Sequence, residues 1–190
     1  MLRKLSLKLA VMMLALATVS SAQAASRVTS TSGSSASTRR TDAFKYQHDR
    51  EELDAIRAKS FPKLSKFDVI GPATPKYNCI AWSLGLTSRW VWPGVTAAAF
   101  DDLNAQYGYK RMSKMDFSLE PGIEKIVLYG KMVDGKFQAT HQARQNPDGT
   151  WTSKLGKMAL IKHASPDSLD GPDYGKPYAV YYRKKDHRVS

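Results

Sequence analysis

Three prolines, at positions 62, 72 and 75, restrict the backbone of the stretch that precedes the only cysteine in the chain. Proline lacks an amide hydrogen and disfavours the helical conformation in the residue before it, so this stretch is expected to run extended. A helix can therefore begin no earlier than Tyr77. The run CIAWSLG is predicted to form a short helix that ends at Gly85, which places Cys79 in, or just ahead of, its first turn.

Two further helices are predicted from capping residues. Asp42 can cap a helix over 43–59, whose many charged residues form a solvated face. Thr96 can cap a second helix over 96–107, where three successive alanines favour the helical state. Gly108 is expected to end that helix.

The second half of the chain changes to short segments rich in β-branched and aromatic residues. Turn sequences at Asp134-Gly135 and Pro147-Asp148-Gly149 separate the first three segments and favour β-hairpins. The four predicted strands are KIVLYG, FQATHQARQ, TWTSKLG and YAVYYRK. N-terminal helices followed by an antiparallel sheet predict an α+β fold.

The first 24 residues have the pattern of a secretory signal peptide. Positive charges at positions 3, 4 and 8 precede the apolar run AVMMLALATV, and the small-residue site Ala22-Gln23-Ala24 follows it. The apolar run is about ten residues long, whereas a membrane span needs roughly 20. We therefore expect a secreted or periplasmic protein with no membrane span.

Composition divides the rest of the chain into a disordered tether over 25–42, rich in Ser and Thr, and a single domain over 43–190. Loss of the leader's three positive charges lowers the formal net charge from +12 to +9. This charge favours an anionic cell-envelope polymer or peptide substrate as partner. The sequence has no stripe of basic and aromatic residues that would predict specific nucleic-acid binding, and we expect a monomer.

Cys79 has no partner cysteine, although thiols outside the cytoplasm normally pair. A lone exported cysteine is either a buried structural thiol or a reactive one. Because the unpaired amides at a helix start favour the thiolate, this position predicts a pKa for Cys79 well below the reference value of about 8.5.

A nucleophilic thiol needs a base, and His141 is the best candidate among the four histidines. In its predicted strand, alternation places it on one face with Ala139 and Ala143, small residues that leave room beside an imidazole. His48 and His187 lie in highly charged segments and are expected to be exposed. A core or surface histidine without a chemical role is the alternative for His141.

The order of these elements resembles the papain-like fold of NlpC-type cell-wall endopeptidases and the related CHAP amidases. Tyr77-Asn78-Cys79 resembles the start of their nucleophile helix, with Asn78 in place of the usual acid. Residues 125–130 resemble the strand before the histidine, and His141 with DGTWTS resembles the histidine strand and its return. The chain also resembles an uncharacterised bacterial family with YNCIAW, HxARQ and WTSKLG blocks, and the resemblance covers about residues 60–185.

This resemblance implies a thiol hydrolase in which Cys79 attacks a carbonyl carbon and His141 takes and returns the proton. The backbone amide of Cys79, with Tyr77 or Asn78, would then contribute to an oxyanion hole. Trp82 and the other three tryptophans either line a substrate groove or belong to the core, and the core is the commoner place for such residues.

The third residue, which orients the imidazole in such enzymes, is left open. Ser153 occupies the equivalent position, next to Lys154, but a hydroxyl cannot stabilise an imidazolium as a carboxylate does. His163 is the other candidate, unless it packs against the turn that follows it. One cysteine and four scattered histidines do not form a metal-binding pattern, and no cofactor is expected.

Three functions are therefore compatible with the sequence. The first is an exported cysteine-dependent amide hydrolase that acts on peptidoglycan peptides or another envelope substrate. The second is a noncatalytic, basic envelope-binding module on the same scaffold. The third is an acyltransferase that uses the same Cys79 and His141 but passes the acyl group to an amine.

Overall fold

The structure, a computed structural model, describes residues 45–185. The predicted leader over 1–24, the tether over 25–42 and the predicted cap Asp42 lie outside the described residues. No helix in the described part is long and apolar enough to span a membrane. The helices and strands, joined by a short 3₁₀ helix (Pro166–Leu169), are α1 (Gln47–Ser60), β1 (Phe67–Gly71), α2 (Cys79–Ser83), α3 (Ala97–Gln106), β2 (Lys110–Arg111), β3 (Ile123–Val133), β4 (Lys136–Gln145), β5 (Trp151–Lys154), β6 (Leu160–His163) and β7 (Lys176–Lys184).

The seven strands form one antiparallel sheet in the order β1-β6-β5-β4-β3-β7-β2. Strands β3 to β6 are consecutive neighbours and form a meander, which β7 and β2 extend on one side and β1 on the other. The predicted α+β class is confirmed, and the four predicted strands correspond to β3, β4, β5 and β7. Strands β1, β2 and β6 are additions that the sequence pattern does not predict.

Local signals set most of the helix and turn boundaries. α3 begins after Thr96, whose hydroxyl accepts a hydrogen bond from the amide of the third helical residue at 3.2 Å, as predicted. α1 begins at Gln47, four residues later than predicted, after Tyr46, whose side chain makes no capping bond. The β3–β4 hairpin turns at Asp134 and Gly135, whose φ angles of 49° and 72° lie in the left-handed region that Asp-Gly turns favour.

The sheet separates two hydrophobic cores, one on each face. In β3, Val127 and Tyr129 pack into one core and Ile126 and Leu128 into the other, as the alternation of a strand requires. α1 contributes Leu53 to the first, which we call the α1-side core. α2 and α3 pack into the second, the α2-side core.

A β-bulge in β4 changes the face of the residues around it. The register of β4 on β3 shifts between His141 and Ala139, which leaves Thr140 as the extra residue. Ala143 packs in the α1-side core, whereas Ala139 packs in the α2-side core. The prediction that both alanines share the face of His141 is therefore wrong for Ala139.

Candidate active site

α2 begins at Cys79, in the position that the prolines predict. Asn78 caps this helix: its backbone is extended, and its side-chain Oδ1 accepts a hydrogen bond from the Ala81 amide at 3.1 Å. Gly85, with a φ of 83°, follows the last residues of the helix and lets the chain turn away. The predicted start and end of the helix are both confirmed.

Asn78 also fastens the tryptophan loop, residues 86–96, which joins α2 to α3. Its Nδ2 donates to the Val91 carbonyl oxygen at 2.8 Å, and the Val91 amide donates to Oδ1 at 3.2 Å. The cap and the loop bond together occupy both lone pairs of Oδ1. The predicted oxyanion role of Asn78 therefore concerns its backbone, because the side chain is engaged in building the site.

Replacing Asn78 with alanine is expected to lower the free energy of unfolding by roughly 2–4 kcal/mol, because a helix cap and two loop bonds are lost at a buried position. Thr96→Ala is the matched control, since Thr96 caps α3 without fastening a loop, and it should cost about 1 kcal/mol. Urea unfolding measures both variants. Equal losses would contradict the double role of Asn78.

A chain of three buried side chains crosses β4, β5 and β6, and we call it the histidine relay (His141, Ser153 and His163). His141 Nε2 lies 3.1 Å from Ser153 Oγ, which lies 3.0 Å from His163 Nε2. His163 Nδ1 lies 2.8 Å from the carbonyl oxygen of Ser165. The two candidates for the third residue, Ser153 and His163, are thus bonded in series to His141.

The Ser165 carbonyl sets the direction of every proton in the histidine relay. A carbonyl only accepts, so Nδ1 of a neutral His163 carries the hydrogen and its Nε2 accepts from the Ser153 hydroxyl. Ser153 Oγ then accepts from His141 Nε2–H, which leaves His141 Nδ1 unprotonated. That Nδ1 is buried and has no hydrogen-bond partner among residues 45–185. His141 therefore presents an unprotonated nitrogen that can accept a hydrogen.

Two tyrosines hold the ring of His141. Tyr174 stacks on it with ring centroids 4.0 Å apart and planes at 6°, and Tyr129 meets it edge-on at 5.3 Å. Burial lowers the pKa of His141 well below 6.5 and lowers the pKa of His163 to about 4. Both rings are therefore neutral at pH 7, which is the state that the proton directions require.

The Cys79 sulfur lies against the backbone of Gln142, the residue after His141. Burial raises the pKa of the Cys79 thiol to about 11. Hydrogen bonds from the amides of Gln142, Ile80 and Cys79 itself, together with the charge of Lys154, only partly oppose this increase. The resting state of the cysteine is thus a neutral thiol.

The predicted decrease in the pKa of Cys79 is therefore wrong. α2 has only five residues, and the Cys79 side chain is 5% exposed, so the loss of hydration outweighs the helix amides. His141 Nδ1 makes no hydrogen bond to the thiol in this state. Both groups are neutral, and they are not paired: Cys79 packs in the α2-side core, whereas the two tyrosines that hold His141 pack in the α1-side core.

The four tryptophans differ in burial: Trp151 is buried, Trp82 is half-buried, and Trp90 and Trp92 are exposed. Trp151 is 1% exposed and belongs to the α1-side core. Trp82 donates through Nε1 to the Thr152 hydroxyl at 3.1 Å. Trp90 and Trp92, in the tryptophan loop, are 47% and 49% exposed. The core interpretation thus applies to Trp151, while Trp90 and Trp92 form a surface.

Lys154 and Tyr174 belong to the surroundings of Cys79, although the sequence does not single them out. Lys154 is fully buried, and its Nζ lies 5.4 Å from the ring centroid of Tyr77. Tyr174 comes from the loop before β7 and covers one face of His141. A lysine in a short strand and a tyrosine in a loop are usually solvent-exposed, so sequence reasoning has no basis for placing them here.

Two of the four histidines lie outside the histidine relay. His48 is exposed, as predicted, and His187 lies outside the described residues. No group of three or more His, Cys, Asp or Glu side chains in residues 45–185 is arranged to hold a metal ion.

A family model described as Domain of unknown function (DUF7689) matches residues 68–182. The matched range runs from β1 into β7 and includes Cys79 and the whole histidine relay. No curated protein and no solved structure matches the chain.

Proposed function

Since the chain belongs to the family described as Domain of unknown function (DUF7689), we propose its function from the site: a cysteine-dependent amide hydrolase with Cys79 as nucleophile and His141 as base. We also propose that the fold is papain-like. Two features support this proposal: a cysteine is the first residue of a helix that packs on an antiparallel sheet, and adjacent strands of that sheet carry a histidine and its hydroxyl partner.

The observation that carries this proposal is the unprotonated Nδ1 of His141. Leaving a buried polar atom without a partner costs about 1–3 kcal/mol, and such atoms in native proteins call for an explanation such as a catalytic role. An unprotonated imidazole nitrogen is the group that can accept the proton of a thiol. The backbone of the next residue, Gln142, is among the groups that lower the pKa of the Cys79 thiol.

In the proposed reaction, His141 Nδ1 accepts the thiol proton as the Cys79 sulfur attacks the carbonyl carbon of an amide. The S–C bond forms, and the electron pair of the C=O bond moves to the oxygen, which the Cys79 amide stabilises. The C–N bond then breaks, and the imidazolium gives its proton to the leaving amine. Water hydrolyses the thioester with His141 again as base, which restores the thiol.

The substrate and location complete the proposal. The leader pattern supports export, and the positive charge supports attraction to an anionic wall polymer. We therefore propose peptides of the bacterial cell wall as the first substrates to test.

Cys79→Ala is expected to abolish the release of peptide fragments from purified peptidoglycan, and His141→Ala to lower it by about 10²-fold or more. His48→Ala changes an exposed histidine and is the matched control, which should keep the wild-type rate. Mass spectrometry of the fragments measures all three. Wild-type protein that cleaves neither peptidoglycan nor a mixed peptide library overturns the hydrolase. Transfer of the acyl group to an added amine would instead identify an acyltransferase.

The burial of the site favours a second candidate, a noncatalytic envelope-binding module. Cys79 is 5% exposed and His141 is fully buried, and a thiol with a raised pKa is a poor nucleophile at neutral pH. In such a module, Cys79 reacts with iodoacetamide only after unfolding, and Cys79→Ala sediments with cell walls as the wild type does. Modification of the native protein excludes a purely structural thiol.

A further inference from the structure

Lys154 follows Ser153 on β5, and its side chain is fully buried. Its Nζ lies 3.0 Å from the carbonyl oxygen of Thr74, 2.6 Å from that of Gly156 and 2.5 Å from that of Met158. An ammonium group has three hydrogens, so three carbonyls use all of them. The charge is therefore held in one place.

The bonds of Lys154 join the β5–β6 turn to the segment that leads into α2. Thr74 lies in that proline-rich segment, five residues before Cys79. The ring centroid of Tyr77, two residues before Cys79, lies 5.4 Å from Nζ, within the range of a cation–π contact. Lys154 thus fixes the backbone on the N-terminal side of Cys79.

The charge of Lys154 has no carboxylate within 4 Å among residues 45–185. Lys125 is equally buried, but its Nζ lies 2.5 Å from Glu120 and 3.5 Å from Asp116. A buried cation without a counter-ion is unfavourable. Burial disfavours the charged form of both groups: it raises the pKa of Cys79 and lowers the pKa of Lys154 to about 8. The interaction between the two charges opposes burial, because the ammonium group favours the thiolate and the thiolate favours the ammonium group.

We propose that Lys154 is a positioning residue of the active site: it holds the segment that leads to Cys79 and supplies the positive charge that stabilises the Cys79 thiolate. This inference rests on the proposed role of Cys79 as nucleophile. His141 resists protonation because it is buried, so the thiolate needs a positive charge other than a standing imidazolium. The thiol proton still moves to His141 Nδ1, since carbonyls hold all three hydrogens of Lys154.

The test is the rate at which native Cys79 reacts with iodoacetamide at pH 7. The reagent is uncharged, and the chain has one cysteine, so every label reports Cys79. Lys154→Met should slow the reaction about tenfold, which corresponds to an increase of one unit in the thiol pKa. Lys154→Arg keeps the charge and should therefore slow the reaction less than Lys154→Met does.

Lys125→Met is the matched control for the loss of a buried lysine. It should lower the melting temperature but keep the alkylation rate within about threefold of the wild type, because Lys125 pairs with carboxylates and not with Cys79. Equal rates in wild type and Lys154→Met overturn the inference, as does an equal slowing in Lys125→Met. If Lys154→Met slows the alkylation of Cys79 but the wild-type protein cleaves no peptide, the proposed hydrolase activity is overturned and the inference about Lys154 stands.

The pH dependence of the wild-type rate tests the inference without any variant. Around the thiol, His141 is neutral above pH 7, and burial raises the pKa values of Tyr77 and Tyr174 above 10. Lys154, which the Asp49 carboxylate also influences, is therefore the group that loses its charge near pH 8. The rate should rise about tenfold per pH unit up to pH 7.5 and less steeply from pH 8 to 9. A tenfold rise per unit through pH 9 overturns the inference.

Discussion

Ser153→Ala is expected to lose roughly 2–5 kcal/mol of unfolding free energy and about 10²-fold or more of the Cys79-dependent activity. Without the hydroxyl, the Nε2 atoms of both His141 and His163 are left buried and unpaired. The variant also loses the group that sets the tautomer of His141. A proton can then occupy Nδ1, and a protonated Nδ1 cannot accept the proton of the thiol.

Ser83→Ala is the matched control for Ser153→Ala. Ser83 is also fully buried, and its Oγ lies 2.8 Å from the Ile80 carbonyl oxygen and 2.9 Å from Gln142 Oε1. It should lose about 1–3 kcal/mol of stability yet keep its activity. His163→Ala should lose less activity than Ser153→Ala, because His163 reaches His141 only through the hydroxyl. Full activity in Ser153→Ala would remove the relay from the mechanism.

Acidification from pH 7 to pH 4.5 is expected to lower the free energy of unfolding by roughly 3 kcal/mol or more. Burial lowers the pKa of His163 to about 4, whereas an unfolded histidine has a pKa near 6.5. Between these values the unfolded chain binds more protons than the folded one, so stability falls as the pH falls. The loss begins near pH 6.5, and His141, also lowered by burial, adds to it.

Urea unfolding at pH 7, 5.5 and 4.5 measures this effect before most carboxylates are protonated. His48→Ala removes an exposed histidine and should leave the pH dependence unchanged. His163→Gln, which cannot be protonated in this range, should reduce the slope. A stability that is constant from pH 7 to pH 4.5 would contradict the neutral histidine relay.

Residues that act through their immediate neighbours were the predictable part of this fold. Prolines fixed the start of α2, Thr96 capped α3, and Asp134-Gly135 closed the β3–β4 hairpin, because each effect depends on a few adjacent backbone dihedrals. The same local rules were enough to place Cys79 at a helix start and His141 in a strand.

Pairing between distant segments could not be predicted in the same way. β1 and β6 are short, and they become strands by pairing with each other, with Phe67 opposite His163. From the sequence, His163 was either the third residue or a residue packed against the turn that follows it. In the structure it lies in the sheet and contacts both Ser153 and the Ser165 carbonyl oxygen of that turn. Each segment alone carries too little periodicity to predict a strand.

The electrostatics of the site also depended on packing. A helix start predicts an acidic thiol, but the sign of the shift for Cys79 follows from how much solvent reaches the sulfur. That exposure is set by the residues that cover it from distant parts of the chain. The extra residue Thr140 is a similar case, because alternation along β4 gives no indication of the bulge that moves Ala139 to the opposite face.

The two outer strands of the sheet limit aggregation by strand addition. On one side, β2 has only two residues, Lys110 and Arg111, and both are exposed and charged. On the other side, the register of β1 breaks between Val69 and Gly71, and Pro72 follows directly. Within residues 45–185, therefore, neither outer strand presents a long, straight row of free amides and carbonyls on which a second chain could continue the sheet.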